Sequence, residues 1–147
     1  KIKTTTSIIS QIINNIINNF LIIKKSQIPN SGKGVYTKTN IEKEHIITEF
    51  SGEKVSYTIG RARVILNQTH SILYLNTKYC LDSVADPDCI ATFINDAKGP
   101  NKIPYKRNNV LLKLVNGRCF VIAKRNIKAG EELFLWYGST YWKGLKP

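Results

Sequence analysis

The 147-residue sequence contains no methionine, and it begins with a lysine. We therefore expect it to be a piece of a longer protein. It has no apolar run close to the roughly 18–20 residues needed to cross a bilayer, and no stretch that matches a signal peptide. We accordingly expect no membrane partner and an intracellular location.

Cysteine is scarce, and its three copies do not form a recognisable metal or disulfide pattern. Cys80, Cys89 and Cys119 make no Cys-x-x-Cys pair, and no histidine stands near them at the spacing of a zinc site. We expect buried free thiols in a reducing compartment, and no metal centre. The two histidines, His45 and His70, are interpreted as structural or surface residues.

Acidic residues number 10 against 22 lysines and arginines, so the formal net charge is +12. The imbalance is concentrated in residues 97–129, which contain nine basic residues and no acidic one. Such a segment is either a solvated basic face or a surface that attracts a polyanion. Charge alone does not separate these two interpretations.

The length predicts a single domain with a core of its own. Ahead of that domain, residues 7–21 carry pairs of isoleucines every four residues with amides between them, which predicts an amphipathic helix. Because isoleucine and asparagine are mediocre helix formers, this helix needs a surface to lie against. That surface is either the following domain or a partner, including a second copy of the chain.

Short apolar segments separated by turn residues predict a mostly β fold with peripheral helices. A helix is expected at residues 57–66, with Arg61 and Arg63 facing outward. Asn116-Gly117 favours a type I′ turn and therefore a hairpin. The expected strands cover residues 21–25, 35–37, 46–50, parts of 72–81, 110–114 and 119–124.

Two further segments complete this picture. Residues 99–108 read as a polar, proline-containing loop that is either mobile or in contact with a partner. Residues 133–137 form a short apolar and aromatic run, which by itself predicts a buried strand.

Four motifs occur in order between residues 32 and 138, and together they are far more specific than any one alone. They are Gly32-Lys33-Gly34-Val35, Glu49-Phe50-Ser51-Gly52-Glu53, Phe93-Ile94-Asn95-Asp96, and Gly130-Glu131-Glu132-Leu133 followed by Trp136-Tyr137-Gly138. In this order they resemble the SET domain of protein lysine methyltransferases. The resemblance implies small curved sheets around a C-terminal pseudoknot. We place this domain at residues 21–143, after a helical segment at 1–20 and before a tail at 144–147.

The resemblance also implies transfer of a methyl group from S-adenosyl-L-methionine to a lysine amine. That reaction needs a neutral amine, reactants held in line, and the exclusion of water. An apolar channel lowers the pKa of the lysine amine by desolvation, and alignment of the reactants lowers the barrier further. The protein therefore needs an aromatic channel and a cofactor pocket, and it needs no nucleophile of its own.

Individual roles follow from the same resemblance. Tyr137 falls on the catalytic tyrosine, whose hydroxyl would orient the amine; a packed core ring is the alternative interpretation. The substrate channel would include Phe50, Leu135 and Trp136, and the aliphatic Leu135 leaves room for di- or trimethylation. The residues expected to bind the cofactor are Lys33, Gly34, Val35, Tyr74, Asn95, Asp96, Tyr137 and Trp142.

Three positions depart from the family pattern. Asp96 stands where the family has a histidine that acts largely through its backbone, and Phe50 stands where many members have a tyrosine. Trp136 replaces an aspartate, as in the PR-type branch of the family. No cysteine-rich zinc motif follows Trp142 in this sequence, so Tyr141 and Trp142, the N-terminal helix, a second subunit or sequence outside the chain would have to complete the channel.

The implied partners are a histone tail as substrate and, through the basic segment, nucleosomal DNA, which would place the protein in the nucleus. Three alternatives stay open. The chain is also compatible with a PR-like scaffold that has weak or no catalysis, with a methyltransferase acting on a non-histone protein, and with a plain nucleic-acid-binding domain.

Overall fold

The computed structural model describes residues 19–138. The predicted N-terminal helix, Tyr141 and Trp142 lie outside the described residues, and the domain boundaries stay predictions. Within the described part, no helix is long and apolar enough to cross a membrane. The elements there are β1 (Leu21–Lys25), β2 (Lys33–Thr37), β3 (Ile46–Glu49), β4 (Glu53–Ser56), α1 (Tyr57–Ile65), β5 (Ile72–Tyr74), β6 (Tyr79–Asp82), two 3-10 helices (Ser83–Ala85 and Ile90–Phe93), β7 (Val110–Val115) and β8 (Arg118–Ala123).

The strands form three small antiparallel sheets, in the orders β1-β2, β3-β8-β7 and β4-β6-β5. Their inner faces enclose one main core, in which Val35, Ile47, Ile94, Val121 and Leu133 are completely or almost completely buried. The mostly β prediction is confirmed. Each strand is short, so the core depends on the sheets closing over one another rather than on one continuous sheet.

The predicted hairpin is confirmed. β7 and β8 pair from Val110↔Ala123 to Val115↔Arg118, which leaves Asn116 and Gly117 as a two-residue loop. Asn116 has φ 50° and Gly117 has φ 77°, as a type I′ turn requires at both central positions. Local sequence therefore determines the register of this hairpin.

Helix α1 begins where predicted, because the Ser56 side chain accepts a hydrogen bond from the backbone N–H of Ile59. The prediction that Arg63 faces outward is wrong. Its guanidinium donates to Asp82 Oδ2 at 2.9 Å and to Glu53 Oε2 at 2.8 Å. The Asp82 side chain is fully buried, and a cation is the group that compensates such a carboxylate.

Burial alone would raise the pKa of the Asp82 carboxyl, yet its pKa lies below the usual range. Hydrogen bonds from Thr69, Arg63 and the backbone N–H of Val84 to the ionised carboxylate outweigh the cost of burial. This network joins α1 to β6.

The strand expected at residues 133–137 does not form as a regular strand. Leu133, Phe134 and Leu135 are buried as predicted, but the segment makes isolated bridges with Asn95 and Val110. The segment lies between two neighbours and forms only single bridges with each of them. Its apolar sequence is the same as that of a buried strand, so the hydrophobic pattern cannot distinguish the two.

Gly60 is the buried residue of α1, and a Cβ atom there would lie 2.1 Å from Cys80 Sγ. Gly60→Ala should therefore destabilise the fold by about 1–3 kcal/mol, although alanine is the better helix former. Cys80→Ala removes the clashing sulfur, so the double variant should be more stable than the sum of the two single changes predicts, by at least about 1 kcal/mol. Urea denaturation of the four proteins measures this coupling.

Cys89→Ala is the matched control, because Cys89 is also buried but is not among the atoms that a Cβ at Gly60 would meet. Its effect should add to that of Gly60→Ala. Additive effects for Gly60 and Cys80 would contradict the proposed steric contact.

Candidate active site

The C-terminal segment, residues 130–137, brings the sequence motifs together. Its first half pairs with β2: Leu133 N–H donates to Val35 O at 2.7 Å, and Thr37 N–H donates to Glu131 O at 3.1 Å. Its second half lies between residues 94–96 and the start of β7, because Leu135 N–H donates to Asn95 O and Val110 N–H donates to Phe134 O. This is the meeting of motifs that the expected pseudoknot requires.

Tyr137 is held at both its side chain and its backbone. Its hydroxyl donates to Ile94 O at 2.6 Å, and its backbone N–H donates to Asp96 Oδ2 at 3.0 Å. The ring is half-buried and lines a cavity, rather than being enclosed in the core. Ile94 and Asp96 thus determine the position of the predicted catalytic tyrosine.

The Asp96 side chain is 3% exposed and has a definite structural role. While Oδ2 accepts from Tyr137, Oδ1 accepts from the backbone N–H of Lys98 at 2.8 Å and from Asn108 Nδ2 at 3.0 Å. We expected this position to act mainly through its backbone, as the family histidine does. In this chain the carboxylate itself connects Tyr137 to both ends of the 98–107 loop.

Sequence reasoning missed Asn108 and Asn109. Asn108 Oδ1 accepts from the backbone N–H of Ala97, and Asn109, 1% exposed, donates to Glu132 O and accepts from Phe134 N–H. A side-chain amide can replace a missing strand partner because it offers a donor and an acceptor together. The sequence signal that could have indicated them is the occurrence of two consecutive asparagines directly before an apolar strand.

The strand predicted at residues 35–37 is confirmed, but it begins two residues earlier than expected, at Lys33. Gly34 was also predicted to bind the cofactor. A Cβ at Gly34 would lie 2.1 Å from Glu132 Oε1, so a buried side chain of the protein requires glycine at this position.

Glu132 is 2% exposed and ties the chain before β2 to the C-terminal segment. It accepts hydrogen bonds from Ser26 Oγ at 2.6 Å and from the backbone N–H of Gln27 at 2.8 Å. Burial, together with the negative charge of Glu132 and a hydrogen bond to it, raises the pKa of Tyr36 to about 12. Through these hydrogen bonds Glu132 fixes the residues before β2 against the C-terminal segment.

Of the residues predicted to bind the cofactor, Lys33 and Asn95 lie side by side. Asn95 Nδ2 donates to Lys33 O at 2.9 Å, which joins β2 to the segment beside Tyr137. Val35 is fully buried, and its carbonyl accepts from Leu133 N–H, so its side chain packs in the core.

An open cavity adjoins Tyr137, and four of the predicted site residues line it together: Phe50, Tyr74, Leu135 and Tyr137. Tyr74, which we assigned to the cofactor, thus shares one cavity with the expected channel residues. The remaining lining is His70, Ser71, Ile72, Leu73, Ala91, Thr92 and Ile94. His70, interpreted from sequence as a structural or surface residue, therefore belongs to the candidate site.

Trp136 does not line this cavity, and it is 58% exposed. Trp142 lies outside the described residues. Within residues 19–138, no group of three or more His, Cys, Asp or Glu side chains is placed to hold a metal ion. Cys80, Cys89 and Cys119 are buried and free, as predicted.

Comparison with protein families agrees with this geometry. The model of the SET domain matches residues 32–138, which is more than half of the chain. The chain belongs to the SET-domain family. The match begins at the Gly32 motif and ends at Gly138, so it includes all four motifs that carry the resemblance.

Curated relatives are similar at modest identity. N-lysine methyltransferase KMT5A-A of Xenopus laevis is 28% identical over 127 residues, which cover 79% of this chain and 36% of that protein. Histone-lysine N-methyltransferase EZ1 of Zea mays is 33% identical over 110 residues, which cover 73% of this chain and 11% of that protein. The chain thus spans little more than a third of the first relative and much less of the second.

Solved structures share the fold. A chain in the humanized mutant of the Chaetomium thermophilum Polycomb Repressive Complex 2 bound to the inhibitor GSK343 has a TM-score of 0.63 and 26% identity, over 80% of this chain and 15% of that one. A chain in the structure of ctPRC2 in complex with H3K27me3 and H3K27M has a TM-score of 0.64 and 25% identity, over 82% and 15%. The SET fold is therefore confirmed.

Asp96→Asn tests how firmly the carboxylate holds Tyr137. The amide oxygen can still accept from Lys98 and Asn108, but its NH₂ group would then face the backbone N–H of Tyr137. A hydrogen bond to a charged group is worth about 1.5–3 kcal/mol, so the Tyr137 amide should exchange with deuterium about tenfold faster or more. Asp88→Asn, at an exposed position, is the control and should leave this rate unchanged. Equal rates in both variants would contradict the role of Asp96.

Proposed function

We propose that the chain is an S-adenosylmethionine-dependent protein lysine N-methyltransferase. The observation that carries the proposal is the position of Tyr137, which lines the cavity while its hydroxyl donates to Ile94 O at 2.6 Å. Because that proton is engaged, the tyrosine oxygen would meet a bound amine as an acceptor of its N–H group. A lysine amine bound in this way has its rotation restricted, so its lone pair can be held in one direction.

The cavity suits the side chain of a lysine. Phe50, Ile72, Leu73 and Leu135 supply apolar surface for the methylene stem, and Tyr74 and Tyr137 add aromatic rings. Desolvation in such a lining disfavours the ammonium form and lowers the pKa of the bound amine. The chain therefore needs to offer no nucleophile, since the substrate amine is the nucleophile once it is neutral.

The neighbouring residues fit the cofactor. Asn95 and Lys33 are joined by one hydrogen bond, and Asn95 follows Ile94, the residue that binds the Tyr137 hydroxyl. Lys33 is exposed and Asn95 is partly so, which leaves an amide oxygen and backbone groups to hold the polar parts of S-adenosylmethionine. When bound, that cofactor would supply the methyl group. In this proposal Asp96 positions Tyr137. Gly34 leaves the space that the buried side chain of Glu132 occupies beside β2.

A histone tail is the proposed substrate, and chromatin in the nucleus the proposed location. The support comes from relatives named as histone-lysine methyltransferases and from a structural neighbour solved in complex with H3K27me3 and H3K27M. The alternative is a PR-like scaffold with weak or no catalysis, motivated by Trp136 and Asp96.

The first experiment combines calorimetry with S-adenosylmethionine and methyl transfer to core histones, for the wild type and for Tyr137→Phe. The wild type should bind the cofactor and transfer methyl groups. Tyr137→Phe should lower kcat by at least about 100-fold, because a misdirected amine costs that much even at small displacements. Cofactor binding should change much less, since the ring remains.

Tyr79→Phe is the matched control: Tyr79 lies on β6, beneath Lys54 and outside the cavity lining, and its loss of a hydroxyl should not affect kcat. Absence of cofactor binding by the wild type would overturn the proposal in favour of the scaffold. Binding without transfer to histones, but with transfer to other protein extracts, would overturn the proposed substrate alone.

Leu135 should set the degree of methylation. It is 4% exposed and lines the cavity beside Tyr137, so a larger ring there would fill space that added methyl groups need. Mass spectrometry of the product should show di- or trimethyl-lysine for the wild type and mainly monomethyl-lysine for Leu135→Phe. Leu114→Phe, at a half-exposed position of β7, should leave the product unchanged. A monomethylated product from the wild type would contradict this assignment.

A further inference from the structure

The loop of residues 98–107, called here the basic loop, presents four exposed cations: Lys98, Lys102, Lys106 and Arg107. No described carboxylate forms a salt bridge with any of them. The loop has a defined shape, because Asp96 and Asn108 join its two ends and two turns close within it, Lys102 N–H to Gly99 O and Lys106 N–H to Ile103 O. These hydrogen bonds define the conformation in which the loop presents its basic side chains.

Tyr105 lies within the basic loop and is 97% exposed, more than any other large apolar side chain among the described residues. Its φ of 56° lies in the left-handed region, which non-glycine residues seldom adopt. The ring therefore gains almost nothing from packing against residues 19–138, while its backbone is held in an unfavourable conformation. An aromatic ring displayed between cations is the arrangement of a stacking platform.

A second basic segment lies against this loop. Lys124 N–H donates to Asn109 O at 2.9 Å, which places residues 124–128 beside the base of the loop. The pKa of Glu131 is lowered chiefly by its hydrogen bond from Arg125, and the charge of Lys106 adds to this effect, so the two segments share one electrostatic environment. Lys124 and Lys128 are exposed and extend the positive surface.

We propose that this surface binds single-stranded nucleic acid, with the lysines and Arg107 contacting phosphates and Tyr105 stacking on an unpaired base. Phosphate contacts need only positive charge at intervals, which the two basic segments supply. Stacking requires a base whose face is free, which a single strand offers and an intact duplex does not. This inference goes beyond the proposed methyl transfer and does not depend on it.

The test is fluorescence anisotropy with a labelled single-stranded DNA of mixed sequence, compared with the same strand annealed to its complement. Tyr105→Ala should weaken single-strand binding by about tenfold and leave duplex binding nearly unchanged. Lys106→Gln combined with Arg107→Gln should weaken both. On the single strand, this double variant should also reduce the slope of log affinity against log salt, by about 0.7 for each phosphate that is no longer neutralised.

Two controls make the outcome specific. Tyr105→Phe keeps the ring and should bind like the wild type. Lys78→Gln removes one exposed charge from the loop between β5 and β6 and should have little effect. Absence of single-strand binding at low salt would overturn the proposal, and so would equal loss of single-strand and duplex binding in Tyr105→Ala. Because no cofactor or histone is present, failure here leaves the methyltransferase proposal untouched.

Discussion

The structure depends on satisfying the backbone of a segment that runs through the interior without belonging to a regular sheet. Residues 132–137 are mostly buried, and a buried peptide group without a partner is costly. Their partners come from three places: the edge of β2, the backbone of Asn95 and Val110, and the side chains of Asp96 and Asn109. Removing one of these partners would loosen the segment that carries Tyr137.

The hydrogen bonds that stabilise this segment therefore also position Tyr137. The carboxylate of Asp96 and the amide of Asn109 replace the ladder that a neighbouring strand would provide, and both are almost fully buried. The arrangement leaves the Tyr137 ring at the surface of the core, facing the cavity, while its backbone stays anchored. It also explains why Asp96, a departure from the family pattern, is compatible with a well-defined site: its acceptors match three donors that meet at this point.

Much of the local structure could be predicted from the sequence. The hairpin follows from Asn116-Gly117, a helix was expected at residues 57–66 where α1 forms, and the order of the four motifs identified the fold. What failed involved long-range contacts. Arg63 turned inward to a buried aspartate 19 positions away. Two other long-range contacts were not anticipated: Gly34 lies against the side chain of Glu132, and His70, an exposed residue as expected, also lines the cavity.

The sequence by itself determined which short segments extend, which turns they use, and which family supplies the chemistry to be tested. These depend on backbone preferences and on residue order, which act over a few positions or are read directly from the motifs. Only the tertiary structure decided what each buried polar group binds. It showed that Asp96 binds both Tyr137 and the end of the basic loop, and that Tyr105 is exposed between cations. Those outcomes depend on distances between segments far apart in the chain, and a one-dimensional pattern contains no such distances.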